Sequence, residues 1–110
     1  MEIRFLNLDI VIHSQEDLTA LHNELKDRVL ILHSDFVEAK KEKYYLLTFE
    51  ADLDTDIPNA SEVLTLNLCK IINNLSAESR QLWNQCDRKI FDYGYAVSYT
   101  HLTLPTKRIV

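Results

Sequence analysis

Hydrophobic and polar residues alternate along the chain from residue 3 to residue 13. One face of this segment carries aliphatic side chains: Leu6, Leu8, Ile10 and Ile12. The opposite face carries a mixed set: Phe5, Asn7, Asp9, Val11 and His13. An alternation with a period of two residues predicts a strand that places one face against a hydrophobic core and turns the other face away from it.

Two later stretches have apolar residues at helical spacing. Ser14 and Asp17 form a capping-box pattern that predicts a helix running to about Lys26. A second capping box, from Asn59 to Glu62, predicts a helix with an apolar stripe made of Leu64, Leu68, Ile71 and Leu75. Ser76 is expected to cap a further helical segment that carries Leu82, Trp83 and Cys86.

Three other segments have the composition or alternation of strands. They cover residues 29–33 with an extension to about 37, residues 44–53, and residues 89–95. The resulting order, βαββαβ, is that of ferredoxin-like domains. We therefore predict a single α+β domain over residues 1–95, with an antiparallel four-stranded sheet and both helices on one face. We expect this domain to be truncated at its C-terminus, so that the other face is open.

The predicted open face carries the candidate binding residues. These are Phe5, Asn7, Asp9, His13, Tyr44, Thr48, Glu50 and Asp92. Three apolar residues, Val11, Leu46 and Ile90, are expected among them. An apolar patch rimmed by polar groups is the usual mark of an interface. A sheet face whose covering segment is missing has the same appearance, so both interpretations stay open at this point.

The carboxylates on this face raise the question of a metal or an acid–base site. Asp9, Glu50 and Asp92 supply oxygen atoms, and His13 could add a nitrogen ligand. No two of them share a recognised short spacing, and solvated polar side chains on an uncovered sheet need no further explanation. We therefore predict no catalytic residue, no metal ligand and no cofactor.

Charge and motif content argue against several other classes of protein. The segment from Ile3 to Leu8 resembles the first strand of an RNA-recognition motif, but Arg4 stands where an aromatic residue should stack on a base. The formal net charge of −5 would repel phosphates, so no nucleic-acid partner is expected. Gly94 is the only glycine, which excludes a glycine-rich phosphate loop.

The location of the protein is inferred from what the sequence lacks. No stretch approaches the roughly 20 apolar residues of a membrane span, and Asp9 interrupts the N-terminal apolar run. We therefore expect a cytoplasmic protein with no membrane partner. In that reducing compartment, Cys69 and Cys86 are expected to be free, half-buried thiols that fill the core.

Two resemblances concern the ends of the chain. The start MEIRFLN, the segment LWNQC at 82–86 and the segment FDYGY at 91–95 resemble a family of small bacterial proteins without an assigned activity. Members of that family continue past the last strand, which supports the expected truncation. Residues 97–110 resemble translated sequencing-adapter DNA, with Ala96 at the junction, so residues 96–110 are interpreted as a tail that is not native.

The sequence favours a non-enzymatic protein-interaction module over two alternatives. An acidic, small chain without catalytic motifs is typical of proteins that bind another protein, and a toxin-neutralising immunity protein is one concrete form. The first alternative is a small-molecule sensor with the topology of ACT domains, although the segment from Ile12 to Gln15 lacks their glycine. The second is a metal-assisted enzyme that uses Asp9, Glu50 and Asp92. The oligomeric state stays open.

Overall fold

The computed structural model describes residues 2–51 and 56–98, and within them it contains four strands and three helices. The elements are β1 (Glu2–Ser14), α1 (Thr19–Leu25), β2 (Leu30–Glu38), β3 (Lys43–Glu50), α2 (Ala60–Asn73), α3 (Ala77–Asn84) and β4 (Arg88–Ser98). The strands form one antiparallel sheet in the order β2-β3-β1-β4. The predicted α+β class with a four-stranded antiparallel sheet is confirmed, and the strand order is compatible with a ferredoxin-like arrangement.

The core lies between one face of the sheet and the helices. On β1, the side chains of Leu8, Ile10 and Ile12 are fully buried, as the alternation predicted. They join one cluster with buried leucines from the first two helices: Leu21, Leu25, Leu64 and Leu68. Burial of a side chain of this size contributes ~1.5–3 kcal/mol to stability, so this cluster determines which sheet face the helices cover.

The first helix begins later than the sequence predicted. Ser14 still belongs to β1, where its hydroxyl accepts a hydrogen bond from the amide of Glu16 at 3.0 Å. The residue that organises the helix start is Asp17, whose carboxylate accepts hydrogen bonds from the amide and the hydroxyl of Thr19 at 2.8 and 2.5 Å. These two hydrogen bonds hold the pKa of Asp17 below its ordinary value, and the bond from the hydroxyl has the larger effect. The predicted helix end, near Lys26, is confirmed.

The caps of the other two helices differ from each other. Asn59 precedes α2 as predicted, but it adopts a left-handed conformation with φ of 56° and its side chain makes no capping hydrogen bond. Asparagine tolerates this conformation better than most residues. Ser76 caps α3 as predicted, since its hydroxyl accepts a hydrogen bond from the amide of Ser79 at 3.3 Å.

A polar connection joins α1 to the start of α3. The carboxylate of Glu24 accepts hydrogen bonds from the amide and the hydroxyl of Ser76, at 2.9 and 2.6 Å, and from the hydroxyl of the fully buried Ser79. The hydroxyl of Ser76, followed by its amide, keeps the pKa of Glu24 below its ordinary value of 4.5. An acidic side chain near the N-terminus of a helix also interacts favourably with the helix dipole.

The last strand extends further than predicted. β4 continues to Ser98, and Ala96 and Val97 pair with Arg4 and Ile3 of β1. Residues 99–110, which hold most of the expected adapter-derived tail, lie outside the described residues. Residues 52–55, which include the end of the segment predicted as the third strand, also lie outside them. None of the helices in the described ranges is long and apolar enough to cross a membrane.

Candidate functional site

The antiparallel register aligns three carboxylates across the open face of the sheet. Asp9 of β1 pairs with Glu50 of β3 on one side and with Asp92 of β4 on the other. Neighbouring strands lie ~4.8 Å apart, so these side chains emerge next to one another. We call Glu50, Asp9 and Asp92 the acidic rung. The sequence placed all three on this face, and the pairing brings them together.

Asp9 occupies the centre of the acidic rung, between the two strands that pair with β1. Its side chain is half-buried, and its Oδ1 atom is buried without a hydrogen-bond partner in the described parts of the chain. Like charges directly opposite one another destabilise an antiparallel pair. A buried carboxylate oxygen without a partner adds a desolvation cost. The acidic rung is therefore a place where the sequence departs from what sheet stability alone would favour.

The neighbouring rungs on the same face are less charged. Val11 pairs with Thr48 of β3 and Ile90 of β4, and the side chain of Ile90 is 41% exposed. One rung further, His13 pairs with Leu46 and Arg88. The open face thus presents an acidic rung beside apolar side chains, as the sequence predicted for this set of residues.

At the end of the sheet, His13 and Tyr44 form a stacked pair with ring centroids 4.3 Å apart and an interplanar angle of 15°. This pair borders a cleft of about 600 Å³ that also contacts Lys41, Lys43 and Arg88. Gln15 helps to shape its wall by donating a hydrogen bond to the backbone carbonyl of Lys43 at 2.9 Å. The cleft holds both acidic and basic side chains, so its charge does not select one ligand class.

The placement of Phe5 on the open face was wrong. The register of β1 and β4 shifts between Phe5 and Asn7, which marks a β-bulge with Leu6 as the extra residue. Phe5 consequently faces the helix layer, where its ring lies 5.5 Å from that of Tyr95 and 6.5 Å from that of Tyr93. Leu6, which the alternation placed in the core, is 41% exposed for the same reason.

Asn7 lies on the open face, and its side chain occupies the space beside Gly94, the single glycine of the sequence. It pairs with Gly94 of β4, and a methyl group at Gly94 would overlap with the side-chain oxygen of Asn7. The absence of a side chain at 94 therefore leaves room for the side-chain amide of Asn7. The alternation along β1 predicted Asn7 as a site residue, whereas its contact with Gly94 depends on the pairing of β1 with β4.

The structure also contains a helix-side cleft that sequence reasoning missed. It has a volume of about 540 Å³ and lies between α2 and β4. The residues that line it are Ser61, Glu62, Thr65, Leu66, Tyr93 and Tyr95. The hydroxyl groups of Thr65 and Tyr93 are 2.6 Å apart and share a hydrogen bond. The two tyrosines were interpreted as core, but they are only half-buried.

The remaining candidates for chemistry are the two cysteines and the possible metal ligands. Both cysteines are free, as predicted, but Cys69 is exposed and therefore does not fill the core. Burial raises the pKa of the Cys86 thiol, which disfavours the nucleophilic thiolate. Within residues 2–51 and 56–98, no group of three or more His, Cys, Asp or Glu side chains is arranged to hold a metal ion.

Comparisons of the chain with protein-family models, with curated proteins and with solved structures found no match. The candidate site is consequently defined by the geometry of the sheet alone.

Proposed function

We propose that this domain is a protein-interaction module whose open sheet face binds a basic segment of another protein. The observation that carries the proposal is the acidic rung, in which Asp9 stands between Glu50 and Asp92. Acidic residues stand opposite one another across both strand pairs, an arrangement in which like charges disfavour the pairing. A lysine or arginine side chain of a partner would reduce the repulsion between these like charges. Binding of a basic segment is therefore favoured at the acidic rung.

The surroundings of the acidic rung suit a protein better than a small cation. Val11 and Ile90 lie one rung away, and the stacked pair of His13 and Tyr44 lies beyond them. Apolar and aromatic side chains supply buried area at interfaces, while charged groups set the orientation and the association rate. The net charge of −5 favours a basic partner at longer range as well.

An immunity protein that neutralises a basic toxin is one specific form of this proposal. It is motivated by the acidic charge, the small size and the absence of a catalytic motif in the sequence. A toxin gene next to the gene of this protein, and inhibition of that toxin by the purified chain, are the expected observations. A neighbourhood without any toxin gene would contradict this form but leave the broader proposal standing.

A titration with defined peptides tests the broader proposal directly. An arginine-rich peptide that also contains leucine is added to the isotope-labelled full chain, and the backbone amide resonances are followed. We expect the largest shifts in β1, β3 and β4 around the acidic rung, and about tenfold weaker binding by the double variant Asp9→Asn/Asp92→Asn. A matched double variant, Asp27→Asn/Glu78→Gln, removes the same charge from exposed positions off this face and should bind like the wild type.

Two results would contradict the proposal. One is that the acidic-rung variant and the matched variant lose affinity equally, since net charge alone would then explain binding. The other is that the shifts lie elsewhere on the domain. An acidic peptide of the same length serves as the probe for a purely apolar contact, and it should not bind.

A small-molecule sensor is the second candidate, and the helix-side cleft is the observation that favours it. Its apolar wall and the hydroxyl groups of Thr65 and Tyr93 form the mixture that ligand sites commonly have. Thermal melting in the presence of amino acids or nucleotides tests this role. A rise in melting temperature that is lost in the variant Leu66→Asp would support the sensor over the interaction module.

A further inference from the structure

The outer edge of β2 carries features that favour association with another strand. Among the residues that the structure describes, β2 is the last strand on its side of the sheet, and it is nine residues long. Three of its apolar side chains are largely exposed: Leu30 at 52%, Leu32 at 45% and Phe36 at 43%. Natural sheets protect such edges with lysine, proline, β-bulges or very short strands. The segment Leu30–Glu38 contains neither lysine nor proline.

The sequence of β2 is self-complementary around Ser34. An antiparallel pair related by a two-fold axis at Ser34 places Leu32 opposite Phe36 and His33 opposite Asp35, each pair occurring twice. Moving the axis to His33 would place the two histidines opposite each other and Leu32 opposite Ser34. Moving it to Asp35 would place two carboxylates face to face. Of these three registers, only the one centred on Ser34 matches apolar with apolar and acid with base.

The faces of His33 and Asp35 agree with this register. A two-fold axis perpendicular to a sheet keeps each side chain on its own face, so the paired residues must share a face. His33 and Asp35 lie on the open face opposite Thr48 and Leu46, and their Nε2 and Oδ2 atoms are 3.7 Å apart. Ser34 and Phe36 lie on the helix-side face, opposite Leu47 and Tyr45.

A bulge limits the length of the matched segment. The register of β2 and β3 shifts between Ile31 and His33, with Leu32 as the extra residue. Beyond this point the faces of Leu30 and Ile31 no longer match those of Glu38 and Val37. Within the part of β2 whose faces the pairing with β3 sets, from His33 to Phe36, this register places His33 and Asp35 on one face and each Ser34 opposite the other.

We propose that two copies of this chain associate through β2, in antiparallel register about Ser34, to form a continuous eight-stranded sheet. The open faces of both copies then lie on the same side, so a partner would meet two acidic rungs. The association concerns the chain alone and does not depend on the function proposed above.

Charge reversal tests the proposed register, because a mixture of two variants should restore the association that each variant alone weakens. The variant His33→Glu places two carboxylates opposite each other in every pair, and the variant Asp35→Arg places two basic groups opposite each other. Each variant alone should raise the dissociation constant of the dimer by about tenfold. An equimolar mixture of the two should regain wild-type affinity, because each new charge then faces an opposite one. Sedimentation velocity over a concentration series measures all four samples.

The matched control for Asp35→Arg is Asp27→Arg, which makes the same charge change at an exposed position outside β2. It should dimerise like the wild type, and circular dichroism should show that every variant is folded. A wild-type chain that stays monomeric at millimolar concentration would overturn the proposal. Dimerisation that survives both charge reversals, or a mixture that fails to recover, would overturn the register.

Cross-linking checks the register independently of charge. In the background Cys69→Ser/Cys86→Ser, the variant Ser34→Cys places two thiols across the axis, and paired Cα atoms at ~4.5–5.5 Å can be bridged by a disulfide. We expect a covalent dimer after mild oxidation. The control Phe36→Cys faces Leu32 of the other copy and should remain monomeric. Equal cross-linking of both variants would contradict the proposed pairing.

Discussion

The two faces of the sheet use alternate residues of the same strands, yet they have opposite roles. On β1, Ile10 is fully buried against the helices, whereas its neighbours Asp9 and Val11 on the other face are only half-buried. The backbone hydrogen bonds serve both faces equally, so the difference comes from the side chains and from what covers them. Stability is concentrated on the helix side, which leaves the open face able to carry groups that a core would not tolerate.

The largest expected effect is on the helix side. Ile10→Ala removes a fully buried side chain and should lower the free energy of unfolding by ~2–5 kcal/mol, since both the burial and the packing around the cavity are lost. Val11→Ala, one residue along the same strand, should lower the free energy of unfolding clearly less because Val11 is half-buried on the open face. Urea denaturation of both variants measures the difference. Equal losses would mean that the open face is covered in solution.

An intermediate effect is expected where α1 meets α3. Ser79 is fully buried, and its hydroxyl donates to the carboxylate of Glu24. Ser79→Ala should therefore lower the free energy of unfolding by ~1–2 kcal/mol. The variant Ser61→Ala changes a half-buried serine at the other end of the helix layer and serves as the control. A Ser79 variant as stable as the wild type would show that Glu24 is held by Ser76 alone.

The same connection should make stability depend on pH. The folded-state pKa of Glu24 is lowered, chiefly by the hydroxyl of Ser76. The contribution of Glu24 to the free energy of unfolding is therefore complete above the unfolded-state pKa. It is lost as the pH falls through the folded-state pKa. The melting temperature of the wild type should therefore drop more steeply below pH 4.5 than that of Glu24→Gln. Parallel pH profiles for the two proteins would contradict this assignment.

The sequence predicted the regular parts of the fold and failed where the backbone departs from regular geometry. Alternation located the buried face of β1 correctly from Leu8 to Ile12, because a strand has a strict period of two. It misplaced Phe5 and Leu6, since a β-bulge changes the phase without any local composition signal. The early start predicted for α1 failed because Ser14 could be satisfied by a turn as well as by a helix cap.

Apart from Phe5, the residues of the open face could be predicted from the sequence, but their geometry could not. The strand phases placed Asp9, Glu50 and Asp92 on one face, but their alignment depends on the register between strands, which no local pattern specifies. The helix-side cleft was missed for a related reason. Whether Tyr93 and Tyr95 are covered depends on the position of α2 relative to β4, a tertiary property.

The smallest expected effect concerns the acidic rung, where a substitution should increase the free energy of unfolding. Asp9→Asn removes the central charge between Glu50 and Asp92 and should raise the free energy of unfolding by ~0.2–1 kcal/mol, because repulsion across both strand pairs is reduced. Asp27→Asn removes one charge from an exposed position off the sheet and should change stability little. A gain in stability together with weaker binding of the arginine-rich peptide would identify Asp9 as a residue that serves binding at the expense of the fold. A loss of stability would instead show that its carboxylate supports the fold, and the proposed role of the acidic rung would then be wrong.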